Sequence, residues 1–139
     1  VGLVGSQEIA RSYANENKEV LGVMQIDMAM FSTNDKNNLL LISDFTSSTM
    51  NKLAENLIKE YLKLDVKYMA CGYACSDHAS WTKYNYPSFI PAESEIKTSI
   101  DRIHTINDIV DNSTDASYAA HFSHLAIAFA ISMAGVVQP

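Results

Sequence analysis

Basic residues are scarce in this chain: Lys and Arg total 10 against 16 Asp and Glu among 139 residues, a formal charge of −6 with a pI near 5.0. The few that occur are scattered, with no run along one helical face. Nucleic-acid binding needs clustered cations against phosphate and is not expected. Adhesion to an anionic membrane is disfavoured for the same reason. Long apolar runs are lacking too. The longest, residues 125–137, is broken by Ser132 and Gly135, and a spanning helix needs about 20 apolar residues. The opening VGLVGSQEIA has no basic n-region, no cleavage site and no initiator Met. Such a start, leading at once into a helix, reads as a mature product, a cleaved fragment or a truncated chain.

Cysteine is nearly absent. Cys71 and Cys75 stand together in CGYAC, a spacing that excludes the redox CxxC motif, and two cysteines build no disulfide framework. They can be free thiols in a reducing compartment or close a small loop. A loop so short gains little stability from closure; the bond would mainly fix the shape of the segment carrying Tyr73. Two neighbouring cysteines and no others favour the bridge and an exported protein.

Repeats and low-complexity linkers are also missing, so the chain reads as one domain, with 47% apolar residues to build its core. Ser6 is a candidate N-cap for a helix carrying Ile9, Ala10, Tyr13 and Ala14 at helical spacing. Residues 20–26 and 39–42 are short, nearly continuous apolar runs, as in strands buried on both faces. The first run stops at Asp27 and the second at Asp44, with a turn expected over 34–38. Met50, Leu53, Ala54, Leu57, Ile58, Tyr61 and Leu62 form an amphipathic stripe. An irregular stretch around CGYACSDH follows, then a short helix through Ala79, Ser80 and Trp81. A strand is expected over 86–90, a long loop over 91–103, and a last helix from Ser113 or Thr114 with Tyr118, Phe122, Leu125, Phe129 and Met133 inward. Helices alternating with buried strands imply an α/β layered fold with a mainly parallel sheet. Ligands of such sheets bind beyond the carboxyl ends of the strands.

That rule draws attention to Asp27, which closes an apolar run. It can be an N-cap or turn residue, or a carboxylate ligand for zinc held at a strand end. His104, at the end of the long loop, can be structural, solvated or a ligand; its place raises the odds of function. Ser76, Asp77 and His78 carry triad residue types, but neighbours on one turn point in different directions. Asp77 and His78 read instead as helix-start and supporting residues. His121 and His124 read as a solvated or packed pair, and Met24, Met28, Met30 and Met133 as core.

Several pieces, in order along the whole chain, resemble one family. They are residues 2–7 (GLVGSQ), QIDM at 25–28, CGYACSDHASW at 71–81, YP at 86–87 and RIHT at 102–105. The family is bacterial leucyl aminopeptidase, a secreted zinc exopeptidase with two co-catalytic metals. The long CGYACSDHASW block is the specific part. The resemblance implies a three-layer α/β sandwich with a mixed, mainly parallel sheet between helices. Residues 1–139 would be the C-terminal part of a single catalytic domain. It also implies hydrolysis of peptides from the N-terminus, releasing hydrophobic residues, with two zinc ions in the complete enzyme and a secreted or periplasmic location. Asp27 and His104 match one carboxylate and one His ligand, on different zincs. Cys71 and Cys75 match the family's disulfide, and Tyr73 a tyrosine lining the substrate site. Met28, Ile42, Ile90, Ile96 and Ile103 would line an apolar pocket, widened where Ala92 and Ser99 replace aromatic residues.

The family's remaining ligands and its general-base Glu fall before the position of Val1. The resemblance therefore implies that this chain alone binds zinc weakly and hydrolyses nothing, and that the N-terminal half of the same protein is its partner. The alternative is a catalytically inactive binding module sharing the fold; the presence of both Asp27 and His104 counts against it.

Overall fold

Asn38, Leu39, Leu40, Leu41 and Ile42 are all buried, and the fold is arranged on both sides of this strand. The computed structural model describes residues 2–31, 37–95 and 103–135. Its elements are α1 (Val4–Asn15), β1 (Val23–Met24), β2 (Asn38–Ile42), α2 (Ser48–Leu57) continued by a π-turn (Ile58–Leu62), β3 (Asp65–Met69), α3 (His78–Lys83), β4 (Ser88–Phe89), β5 (Pro91–Ala92) and α4 (Ala116–Ala134). Ile96, Ser99 and Val1, to which the sequence assigns roles, lie outside the described residues, as does most of the turn expected over 34–38.

β2 runs parallel to β3, from Asn38 opposite Asp65 to Ile42 opposite Met69. On its other side it is antiparallel to β5, with Leu40 opposite Ala92 and Leu41 opposite Pro91. β1 runs parallel to β4, Val23 opposite Ser88. Ile90 joins β4 to β5, and its carbonyl accepts the Ile42 N–H at 3.1 Å. The mixed, mainly parallel pairing expected from the sequence is therefore present. Pro91 has no N–H to give a ladder and sits at the first position of β5, where none is required.

Successive strand side chains point to opposite faces. Leu39 and Leu41 pack with Met50, Ala54, Leu57 and Ile58 of α2 and the π-turn, and with Tyr118, Phe122, Leu125 and Phe129 of α4. Leu40 and Ile42 face the other way, into a cluster with Ile90, Ala92, Met69 and the two cysteines. β4 divides likewise: Phe89 belongs to the α2/α4 cluster, while the Ser88 hydroxyl donates to the His78 carbonyl of α3 at 2.9 Å. α2 and α4 thus cover one face, and α3 lies against the other at β4. Gly22 is needed where the chain enters β1, because a Cβ there would stand 2.9 Å from Phe129 Cζ and 3.0 Å from Met50 Sδ.

Several local expectations change. Only Val23 and Met24 of the 20–26 run form a strand, since β4 is itself two residues long and offers no further ladder. For the same reason strand 86–90 contracts to Ser88–Phe89, while β5 occupies the start of the expected 91–103 loop. No apolar run marks β3 in the sequence. It is an edge strand, with Asp65, Lys67 and Tyr68 exposed, and edges carry charge without an apolar signature. Tyr61 points to solvent because the wider π-turn shifts the helical phase. Ser6 is not a cap: α1 starts after Leu3, and the Ser6 hydroxyl instead bonds Asp77 Oδ1 at 2.6 Å and meets the Ser80 hydroxyl at 2.8 Å. α4 starts after Asp115, whose carboxylate accepts the Ser117 and Tyr118 amides, while Ser113 and Thr114 fold back on Asp111. Met30 is exposed rather than core.

Outside the core, Glu55 of α2 receives Lys59 at 2.5 Å, Lys52 at 3.1 Å and the Tyr68 hydroxyl at 3.0 Å. The bonds from Lys59, then Lys52 and Tyr68, hold its pKa down at about 2 against an ordinary 4.5. A depressed carboxylate stabilises the fold above its unfolded pKa and loses that contribution as pH falls toward the folded one. Glu55→Gln is therefore expected to lower the urea midpoint at neutral pH, with the difference from wild type closing between pH 4.5 and about 2. An unchanged difference across that window would contradict the assignment.

Candidate functional site

A cavity of about 210 Å³ opens on the face of the sheet that carries Leu40 and Ile42. Its apolar wall comes from Met28, Ile42, Met69, Ile90, Ala92 and Ile103. Asp27, Glu93, His104 and Asp108 supply the ionisable groups, and the Cys71 to Cys75 loop with Tyr73 forms one side. Of the residues singled out in the sequence, Asp27, His104, Tyr73, Met28, Ile42, Ile90 and Ile103 all come to this one cavity. Ile96 lies outside the described residues.

Asp27 is not at a strand end. β1 stops at Met24, so Asp27 sits beyond the ladder, exposed. The Ser76 hydroxyl donates to Asp27 Oδ2 at 2.7 Å and fixes one carboxylate oxygen. The next residue, Met28, has φ +55°, a left-handed conformation costly for a side chain of its kind. His104 is also left-handed, at φ +64°. Non-glycine residues in this region concentrate where surrounding structure forces a conformation, often at functional sites.

Cys71 and Cys75 are bonded, with Cα atoms 6.2 Å apart. The loop they close is clamped from outside by Asp44. Its Oδ1 accepts the Cys71 amide at 2.9 Å and its Oδ2 the Gly72 amide at 2.7 Å. Gly72 takes φ +81° and Tyr73 stands at the rim, 59% exposed. Ser76, Asp77 and His78 do not meet: Ser76 turns to Asp27, Asp77 receives Ser6 from α1, and His78 is fully buried. Neither His78 ring nitrogen makes a well-aligned hydrogen bond among the described residues. Burial pushes its pKa down, against the pull of the Asp44 backbone and of the charges on Asp44, Asp27 and Asp77. His121 is half-buried with its ring edge-on to Tyr118, and His124 is exposed.

The residue that sequence reasoning missed is Glu93. It is 3% exposed, lines the cavity, and its Oε2 accepts the Phe31 amide at 2.6 Å. Burial raises its pKa to about 7; the Phe31 and Met30 amides work against that, while the charges of Asp27 and Asp108 add to it. Within Ala92-Glu93-Ser94-Glu95 nothing marks one Glu as buried, and the only local signal is its position just past an apolar segment.

The donor set suits zinc in kind: an oriented carboxylate and an imidazole opening on the same cavity. Among the described residues, no three His, Cys, Asp or Glu side chains cluster closely enough to hold a metal. Also among them, no helix is long and apolar enough to cross a membrane.

Residues 1–130 match the family model described as Peptidase family M28. The chain is similar to leucine aminopeptidase 1 of Paracoccidioides brasiliensis (strain Pb03), 36% identical over 115 residues, which cover 79% of this chain and 30% of that protein. It is 33% identical over 138 residues to leucine aminopeptidase 1 of Coccidioides posadasii (strain C735), covering 96% of this chain and 35% of that protein. Among solved structures, the LapA aminopeptidase of Legionella pneumophila superposes with a TM-score of 0.90 at 34% identity, over 99% of this chain and 37% of that one. The chain thus spans about a third of the length of the curated relatives it matches.

The Asp44 clamp can be tested directly. Asp44→Ala is expected to cost about 1.5–3 kcal/mol in urea unfolding, the usual worth of hydrogen bonds to a charged group. It should also speed amide exchange at Cys71 and Gly72. Unchanged exchange there would show that the disulfide alone holds the loop.

Proposed function

Because this chain belongs to peptidase family M28, we propose that it is part of a zinc aminopeptidase that releases hydrophobic N-terminal residues from peptides. One observation carries the reading: Asp27 and His104 open on the same cavity as an apolar wall of Met28, Ile42, Ile90, Ala92 and Ile103. In this reading Asp27 and His104 are ligands to different zincs of a two-zinc site, and residues 1–139 belong to a single catalytic domain. When bound, zinc supplies Lewis acidity toward the scissile carbonyl and activates water.

This chain's own residues do the positioning. Ser76 orients the Asp27 carboxylate. The apolar wall takes the first side chain of the peptide out of water, and the Tyr73 loop, held by Asp44 and the disulfide, bounds the entrance. The further ligands and the general base come from the rest of the protein, so the isolated chain binds zinc weakly and is inactive. The Cys71 to Cys75 bond supports a secreted or periplasmic location.

The test uses the complete protein on leucyl-nitroanilide. Turnover should be lost on chelation and restored by zinc. Asp27→Asn and His104→Ala should each lower kcat/KM by about 100-fold or more, beyond the 10–100-fold typical of groups that only support a ligand. Peptide binding without hydrolysis would favour an inactive binding module instead. Zinc-dependent turnover by residues 1–139 alone would overturn the inactivity of this part.

Side-chain preference gives a second test. With Ala92 small on the wall, the pocket admits side chains longer than Leu. Phe and Met anilides are expected within about tenfold of Leu in kcat/KM, less than a tight pocket imposes for a methylene or two. A strong preference for Leu would rule out the wider pocket.

A further inference from the structure

Asp27 lies past the end of β1, so no sheet ladder holds it in place. The next residue, Met28, lines the cavity in a left-handed conformation, which persists only where the surroundings impose it. Ser76 fixes the near end of residues 27–31. The far end is fixed at Phe31, whose amide is received by Glu93 Oε2 at 2.6 Å; the Met30 amide also acts on this carboxyl. Glu93 is 3% exposed and cannot yield to water or swing away freely.

Its backbone is anchored as firmly. β5 ends at Ala92, just before it, and the Tyr118 hydroxyl of α4 lies 3.0 Å from the Asn38 carbonyl and 3.3 Å from that of Glu93. From the same helix end, the Asp115 amide donates to the Met30 carbonyl at 2.7 Å, and Phe31 forms a bridge with Thr114. A buried carboxyl would be an unfavourable choice for a wall whose only duty was to be apolar, since burying a polar group costs free energy unless it is hydrogen-bonded. Here the amides of residues 30 and 31 offset part of that cost.

We propose that Glu93 is a positioning residue: its buried carboxyl receives the Phe31 amide and so fixes residues 27–31, presenting Asp27 to the cavity. This rests on the reading of Asp27 as a metal ligand. Glu93 touches no reacting atom in this role. It acts through the backbone on the group that does, as outer groups orient metal ligands elsewhere.

In the complete protein, Glu93→Gln keeps a side-chain oxygen for the Phe31 amide, whereas Glu93→Ala removes it. The Ala variant is expected to lose about 10–100-fold in zinc affinity, measured by competition with a chromophoric chelator, while the Gln variant stays within about threefold of wild type. Amide exchange at Met30 and Phe31 should rise in the Ala variant and not in the Gln variant. Glu55→Gln, which lowers stability at a carboxylate that does not line the cavity, should leave zinc affinity unchanged. A folded Ala variant with wild-type zinc affinity overturns the proposal and leaves the metal reading intact. Should the Ala variant fail to fold, wild-type exchange decides: fast exchange at Phe31 overturns the proposal, and strong protection together with a near-normal Gln variant supports it. If the wild-type protein binds no zinc, the metal reading fails by itself and the positioning of Asp27 fails with it.

Discussion

Burying all of β2 is the constraint from which the rest of the structure follows. Its five residues are covered on both faces and both edges, so every backbone group needs a ladder partner and every side chain a packed neighbour. β3 and β5 supply the partners. Alternation then sends Leu39 and Leu41 to the helices and leaves Leu40 and Ile42 on the opposite face. That second face is the floor of the cavity. The same strand that builds the core therefore sets where the cavity lies.

The cavity's polar groups are held by hydrogen bonds from outside the regular elements. Asp44 clamps the disulfide loop, Ser76 holds Asp27, and Glu93 receives the backbone beyond it. Each is a carboxyl or hydroxyl engaging an amide or another carboxyl across a long sequence separation. Loops fixed in this way can keep a left-handed residue such as Met28 in place, which an isolated loop would release. A site that must hold charged ligands close to apolar substrate gains from such rigidity, because misplaced ligands lose metal affinity and orientation together.

Glu93 shows how one buried acid serves both sides of the structure. Its carboxyl faces the segment carrying Asp27, while its carbonyl faces Tyr118 of the helix that closes the core. The cost of burying it is visible in a pKa raised to about 7. The surface carboxylate Glu55, with two lysines and a tyrosine around it, is pushed the other way. Two glutamates of one chain thus differ in opposite senses through their surroundings alone.

Much of this was legible in the residues themselves. A continuous apolar run marks β2, apolar periodicity marks α2 and α4, and the CGYACSDHASW stretch marks the loop and the helix after it, because local patterning and short motifs are properties of neighbouring residues. Asp27 and His104 stand out by type and place, Tyr73 by the family resemblance, and the fold gathers them at one cavity. Other features depend on residues far apart. β1 shrank to the length of its partner, β3 emerged as a polar edge strand, and a π-turn rotated Tyr61 outward. Glu93 became a buried acid because α4 and residues 30–31 close over it. Hydrophobicity and spacing are enough to mark which segments can be core and which residue types can carry chemistry. Which carboxyls are buried, what holds them and which face the same cavity follow from packing alone, because burial and long-range hydrogen bonds exist once distant segments meet.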